Sequence, residues 1–280
     1  MDYLLEGILL FLTGNIAGFV AGLLGIGGAI VLVPMLMYVP PLFGTVFSFY
    51  TITGLSMAQV FFAALSGAIT HFRGGNLRRR LVIYIGGSMA VGSLIGSITS
   101  RFIPEHVLVG VFAFMLALST LMLVTKMGKK HAFVSLEDCE NEKNNVNYTV
   151  KPREIYMQTN KEKGIGIVLG ITVGMLAGMV GVGGAIILIP ILAYTLNVPI
   201  KMCIGTSLGI ILAGGAAGFL GKAITGQVPF LPTLFLVSGT IIGARFGSKI
   251  SMKLPDRLLM NALIILLIVT LIRIIISIVA

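Results

Sequence analysis

Tryptophan is absent from this 280-residue chain, and charged side chains make up only 11% of it. A soluble globular protein carries about 25% charged residues. Hydrophobic residues reach 56%, and the mean hydropathy is +1.03. Apolar runs of this extent cannot all be buried in one water-soluble core, so the chain reads as an all-α polytopic membrane protein. Without Trp, Tyr and Lys/Arg must anchor it at the bilayer interfaces. Carboxylates are scarcer still, with 10 Asp and Glu against 20 Lys and Arg. Glu6 lies near the start, and Glu105 and Asp256 lie in turns. A proton or sodium pathway built on buried acids is therefore not expected. The net charge of +10 reads as basic cytoplasmic loops rather than nucleic-acid binding. The 2 cysteines, Cys139 and Cys203, lack metal-ligand spacing and imply no disulfide. A cleavable signal peptide would open with a basic region. This chain opens Met-Asp-Tyr-Leu-Leu-Glu, so its first apolar segment is expected to stay in the mature protein. Paired-His metal motifs, a nucleophile elbow and a P-loop are all missing, so neither an enzyme nor a cofactor is expected.

Glycine, by contrast, is abundant, with 36 residues. The stretch from Gly22 through Gly25-Ile26-Gly27-Gly28-Ala29 to Pro34 returns as Gly178 through Gly181-Val182-Gly183-Gly184-Ala185 to Pro190, at an offset of 156. Gly in a helix interior is about 1 kcal/mol worse than Ala, so each stretch predicts a helix break. Gly14, Gly18 and Gly22 form a small-residue stripe, repeated as Gly170, Gly174 and Gly178, which reads as a helix-packing face. Further on the offset becomes 151: Gly54 pairs with Gly205, Ser56 with Ser207, Gly67 with Gly218, Gly92 with Gly243, and Pro104 with Pro255. A register held over this length indicates internal duplication.

The expected organisation is a first membrane repeat (1–125), a polar cytoplasmic linker (126–163) and a second membrane repeat (164–280), each repeat holding about five hydrophobic segments. The basic loop at 73–80 and the linker are separated by two segments and fall on one side, taken as cytoplasmic. In the second half the equivalent loop holds only Lys222, and the basic loop has moved on to Lys249, Lys253 and Arg257. That shift by one segment predicts inverted repeats, with both termini outside. Loop charge does not separate ten spans from six spans plus two re-entrant hairpins. A parallel arrangement is disfavoured, because it would put Lys249, Lys253 and Arg257 outside.

The candidate substrate site is Gly25, Gly27, Gly28, Gly181, Gly183 and Gly184, with Ser56, Gln59, Thr206 and Ser207. A broken helix exposes unpaired amides at the start of the following half-helix, where the dipole adds partial positive charge. Such a terminus attracts anions. The competing reading is close helix crossing, although packing alone does not require Pro34 and Pro190 at one offset. Hydroxyls such as those of Ser56 and Ser207 can donate to an anion or bond back to a helix carbonyl. Gln59 has Ile210 as its equivalent, so it either donates to a substrate or bridges helices. His71, Arg73 and Arg245 are candidate charge or gate residues, against the alternatives of an interfacial helix end and a snorkelling cation. A site poor in acids and lined by amides and hydroxyls favours a small anionic substrate.

The doubled Gly-x-x-Gly-x-Gly-Gly-x-x-x-x-x-Pro element, Gly205-Thr206-Ser207, and the turn His71-Phe72-Arg73 to Gly75-Asn76 resemble the TauE/SafE family of sulfite and organosulfonate permeases. The resemblance spans the chain except for 126–163, and the first half reads Gly54-Leu55-Ser56 where the second has Gly-Thr-Ser. It implies sulfite, an organosulfonate or a related sulfur oxyanion as the substrate class, and the expected protein is a plasma-membrane secondary transporter. A passive anion channel and a membrane scaffold acting through the linker are the competing classes.

Overall fold

The computed structural model describes residues 3–42, 47–73, 79–127, 160–196 and 200–279, and among these it contains helices and no strand. The first set is α1 (Tyr3–Leu24), α2 (Ala29–Leu42), α3 (Phe49–Arg73), a short α4 (Arg79–Leu81) that widens into a π-turn (Val82–Gly86), α5 (Gly87–Thr99) and α6 (Glu105–Met127). The second set is α7 (Asn160–Val180), α8 (Ala185–Leu196), α9 (Ile200–Ile224), α10 (Phe230–Ser251) and α11 (Asp256–Val279). Proline marks several starts: Pro104, Pro229 and Pro255 stand directly before α6, α10 and α11. Each helix thus begins where an amide would lack an acceptor anyway. Of the proposed linker, residues 128–159 lie outside the described residues.

Seven helical stretches among the described residues are long and apolar enough to cross a membrane. They fall in α1, α3, the run Val82–Phe102, α6, α9, α10 and α11. The two helices that follow the glycine stretches are different. At 14 and 12 residues, α2 and α8 reach about 21 and 18 Å, short of a hydrocarbon core about 30 Å thick. By length they are half-helices that cannot span on their own.

The small-residue stripes set the packing. A Cβ added at Gly14, Gly18 or Gly22 would collide with the carbonyl oxygen of Leu236, Thr240 or Ala244, so α1 lies backbone to backbone on α10. In the other half, Gly174 and Gly178 meet the carbonyls of Met89 and Ser93, which brings α7 onto α5 just as closely. The partners obey the sequence offsets, since 240 − 89 and 244 − 93 both equal 151. Each half therefore lays its first helix against the fourth segment of the other.

Between these pairs run α3 and α9, the most buried of the spanning helices. Gly218 packs on Met57, Gly215 lies 3.3 Å from Phe61 Cα measured from an added Cβ, and Gly67 lies 3.0 Å from Leu208 Cδ1. As α3 numbers rise the facing α9 numbers fall, so these two equivalent helices are antiparallel. They carry the polar candidates Ser56, Gln59 and His71 on α3, which Arg73 ends, and Thr206 and Ser207 on α9.

Candidate functional site: two glycine breaks and their supports

All six break glycines have left-handed backbone: φ is +71°, +77° and +74° at Gly25, Gly27 and Gly28, and +80°, +67° and +74° at Gly181, Gly183 and Gly184. Residues with a side chain rarely adopt this region, which explains why glycine is needed at each. Gly25 and Gly181 end α1 and α7, their amides bonding the carbonyls of Ala21 and Ala177 at 2.8 Å. Gly28 and Gly184 open the half-helices: the Gly28 carbonyl accepts from Val31 and Leu32 at 3.1 and 3.0 Å, and Gly184 accepts likewise from Ile187 and Leu188.

The amides between these bonds are left over. Among the described residues, those of Gly27, Gly28, Ala29 and Ile30 have no acceptor, nor have those of Gly183, Gly184, Ala185 and Ile186. All eight residues are buried. Buried backbone donors almost always find a partner, so two clusters of unpaired amides are unusual. They sit at the positive ends of α2 and α8. The apices approach each other across Val60, whose side chain collides with a Cβ added at Gly183 and lies 3.3 Å from one at Gly27. Val60 is fully buried, as are Ile26 and Val182, the residues that precede the two apex glycines.

Ser56 and Ser207 hold the two breaks in place across the halves. Ser56 Oγ donates to the Gly181 carbonyl at 2.7 Å, and Ser207 Oγ donates to the Gly25 carbonyl at 3.0 Å. Each hydroxyl proton is thereby directed at backbone and away from a substrate. Thr206 is buried and engaged beside Ser207. Removing either serine hydroxyl leaves a buried carbonyl without this donor, a loss of about 1–2 kcal/mol. Ser56→Ala and Ser207→Ala are expected to lower the unfolding temperature in detergent by similar amounts. A silent Ser207→Ala beside a damaging Ser56→Ala would contradict the equivalence of the two staples. Pro190 creates a third support. Lacking an N–H, it leaves the Ile186 carbonyl without its helical partner, and Ser119 Oγ of α6 donates there at 2.6 Å.

Gln59 distinguishes the breaks. It is fully buried, and among the described residues neither Nε2 nor Oε1 has a hydrogen-bond partner. Its Nε2 packs directly on Gly28, where an added Cβ would strike it. The second break has apolar walls instead: Ile210 holds the equivalent position and the Met89 methyl covers Gly184. Among the described residues, an unpaired amide side chain lies against the first cluster of amides and none against the second.

The charged candidates lie apart from the apices. His71 is fully buried near the end of α3, and neither ring nitrogen has a partner among the described residues. Arg73 closes α3, and its side chain lies outside the described residues. Arg245 is exposed and lines a groove of about 550 Å³ between α3 and α10, together with Lys249, Ser66 and Thr70. Ser66 Oγ bridges that groove's floor to the Ile241 carbonyl at 3.2 Å.

One buried cation escaped the sequence reading. Lys222, counted there as a loop residue, is a fully buried side chain of α9. Its Nζ donates to Ser100 Oγ at 2.7 Å, Gln227 Oε1 at 2.8 Å, Thr53 Oγ1 at 3.0 Å and the Met179 carbonyl at 3.2 Å. The available signal was register, because Lys222 stands 151 residues after His71. With Lys222 withdrawn into the protein, the loop after α9 carries no cation, and the asymmetry of basic loops becomes sharper.

Antiparallel central helices, half-helices broken by left-handed glycines and several apolar spans define a membrane permease rather than an enzyme. The chain belongs to the family described as Sulfite exporter TauE/SafE, whose model matches residues 10–274. It is 29% identical over 252 residues to the probable membrane transporter protein YdhB of Bacillus subtilis (strain 168), covering 90% of this chain and 91% of that one. A second Bacillus subtilis relative, the probable membrane transporter protein YunE, is 29% identical over 266 residues, covering 90% and 91%. The probable membrane transporter protein MJ0441 of Methanocaldococcus jannaschii is 26% identical over 268 residues, covering 92% and 91%. No solved structure matches the chain.

Proposed function

We propose that this protein is a plasma-membrane secondary transporter for a small anion, with sulfite, organosulfonates and related sulfur oxyanions as the substrate class. The observation that carries this reading is the first break, where the unpaired amides of Gly27 to Ile30 meet the unpaired amide group of buried Gln59. Donors without a full charge suit an anion that must bind and then leave. The family description, sulfite exporter, points to the same class. Gly25, Gly28, Gly181 and Gly184 shape the site, Gly27 and Gly183 form its apices, and Ser56, Thr206 and Ser207 support it.

The halves 1–125 and 164–280 act as inverted repeats, a reading supported by the antiparallel course of α3 and α9 and by the reciprocal α1–α10 and α7–α5 packing. With the basic loops cytoplasmic, both termini face outward and 126–163 is a cytoplasmic linker. Buried Val60 stands between the two apices, which favours alternating access over an open channel. The test is flux of sulfite and small sulfonates in proteoliposomes, together with thermal shift by the same anions, since a ligand stabilises according to its occupancy. Saturable flux and anion-dependent stabilisation are expected. Transport of neutral solutes with no response to any such anion would overturn the reading.

A further inference from the structure

Lys222 and His71 occupy the same place in the two halves, since 222 − 71 is 151, the offset that pairs Ser207 with Ser56. Both side chains are fully buried. Their surroundings differ. The Lys222 ammonium has three protons and is met by four oxygens, all from neutral groups. These come from α3, the turn after α5, the end of α7 and the loop after α9. Charge-assisted bonds of this kind are roughly twice as strong as neutral ones.

The bonded positions converge on the second break. Met179 stands two residues before Gly181. Thr53 Oγ1 accepts from Lys222 Nζ, and the Thr53 carbonyl accepts from Ser56 Oγ at 3.1 Å. Ser56 in turn holds the Gly181 carbonyl. Lys222 thus grips both sides of the chain that enters this break. The corresponding grip on the first break is not made. Neither His71 nitrogen has a partner among the described residues, and neither has Ser251 Oγ, which matches Ser100 at the same offset. Among the described residues, one end of the pair is bonded and the other is not. Thr53 has Ile204 as its counterpart, so the first clamp has no hydroxyl at that position, and unequal bonding at the remaining equivalent positions fits a transporter that opens to one side at a time.

We infer that Lys222 is a positioning residue that clamps the second glycine break to α3 and α9, and that His71 and Ser251 form the corresponding clamp on the first break in the opposite-facing conformation. The second clause rests on the alternating-access reading above; the first does not. An ammonium on a long stem suits a clamp that must open, because water can take over its bonds when that face is exposed.

Hydrogen–deuterium exchange of the full chain in lipid nanodiscs tests both clauses without any substrate. Lys222→Met should speed exchange of the amides of residues 181–188 by about tenfold or more while leaving those of 25–32 unchanged. Thr53→Val and Ser100→Ala, each removing one acceptor, should speed the same amides by a smaller factor, and they decide the matter alone if the Met variant does not accumulate. Unchanged exchange at 181–188, or an equal rise at both breaks, would overturn the clamp. His71→Lys restores an ammonium to the unbonded end and should slow exchange at 25–32; no slowing there would overturn the second clause. Anion flux measured separately keeps the outcomes apart. A chain that carries no anion but shows the one-sided exchange refutes the transport reading and leaves the Lys222 clamp standing.

Discussion

Gly183→Val is expected to abolish anion flux and to lower stability by about 3 kcal/mol or more, whereas Gly226→Ala is expected to transport normally. Two effects add at Gly183. Its φ of +67° is hostile to any β-branched side chain, and an added Cβ collides with Val60 and lies 3.1 Å from Ile211 Cγ2. Gly226 shares the strain, at φ +72°, but has nothing within 4 Å of an added Cβ. It isolates the backbone term, about 1–2 kcal/mol. The same comparison ranks the remaining break positions. Gly28→Ala should be severe, because the Ala17 carbonyl and Gln59 both stand in the way and a backbone carbonyl cannot move aside. Gly184→Ala should be milder, because its obstacle is the terminal methyl of Met89. Flux in proteoliposomes and thermal unfolding of the four variants check the order. Retained flux in Gly183→Val would remove the apex of the second break from the mechanism.

The breaks and the packing stripes were legible because glycine reports backbone constraint directly. Repetition at a fixed offset then separated design from chance: Gly25, Gly27 and Gly28 recur as Gly181, Gly183 and Gly184. Hydroxyl direction was not legible. The sequence leaves Ser56 and Ser207 free to donate to an anion or to a carbonyl, and which carbonyl lies within reach depends on which half lies opposite. Their targets, Gly181 and Gly25, are 125 and 182 residues away. Lys222 was missed for a related reason. A lysine near the end of an apolar run looks like the start of a loop, because hydropathy counts its charge and not the oxygens that surround it. Thr53, Ser100 and Gln227 are unremarkable one by one. Only the tertiary fold collects them around one ammonium. The chemical difference between the breaks was half visible, because Gln59 has Ile210 as its counterpart in the repeat. That Gln59 meets Gly28 follows from the close approach of α2 to α3, which no local pattern encodes.

Gln59→Leu is expected to move stability and function in opposite directions. In the unliganded protein, burial of an amide without partners costs about 1–3 kcal/mol. Leucine fills a similar volume without that penalty, so the variant should unfold at a temperature equal to or above that of the parent. A residue that merely bridges helices would do the reverse, and its loss would destabilise. The anion response should fall, because a hydrogen bond to a charged group contributes about 1.5–3 kcal/mol. Binding is then weaker by about ten- to a hundredfold. Gln59→Glu goes further, placing a negative charge beside the amides of Gly28 and Ala29, where it competes with the anion for the same donors. That variant should lose both flux and thermal shift by sulfite. The two measurements are needed together: differential scanning fluorimetry without anion reads the relief of burial, and titration with sulfite reads the lost donor. A Leu variant that is less stable than the parent, or one that still responds to anions at parental concentrations, would move the substrate away from Gln59 and leave the first break as a structural joint. If stability is kept and the response is lost, the amides of Gly27 to Ile30 and the Gln59 side chain act as one donor cluster, and the apolar second break is its movable counterpart rather than a second binding site.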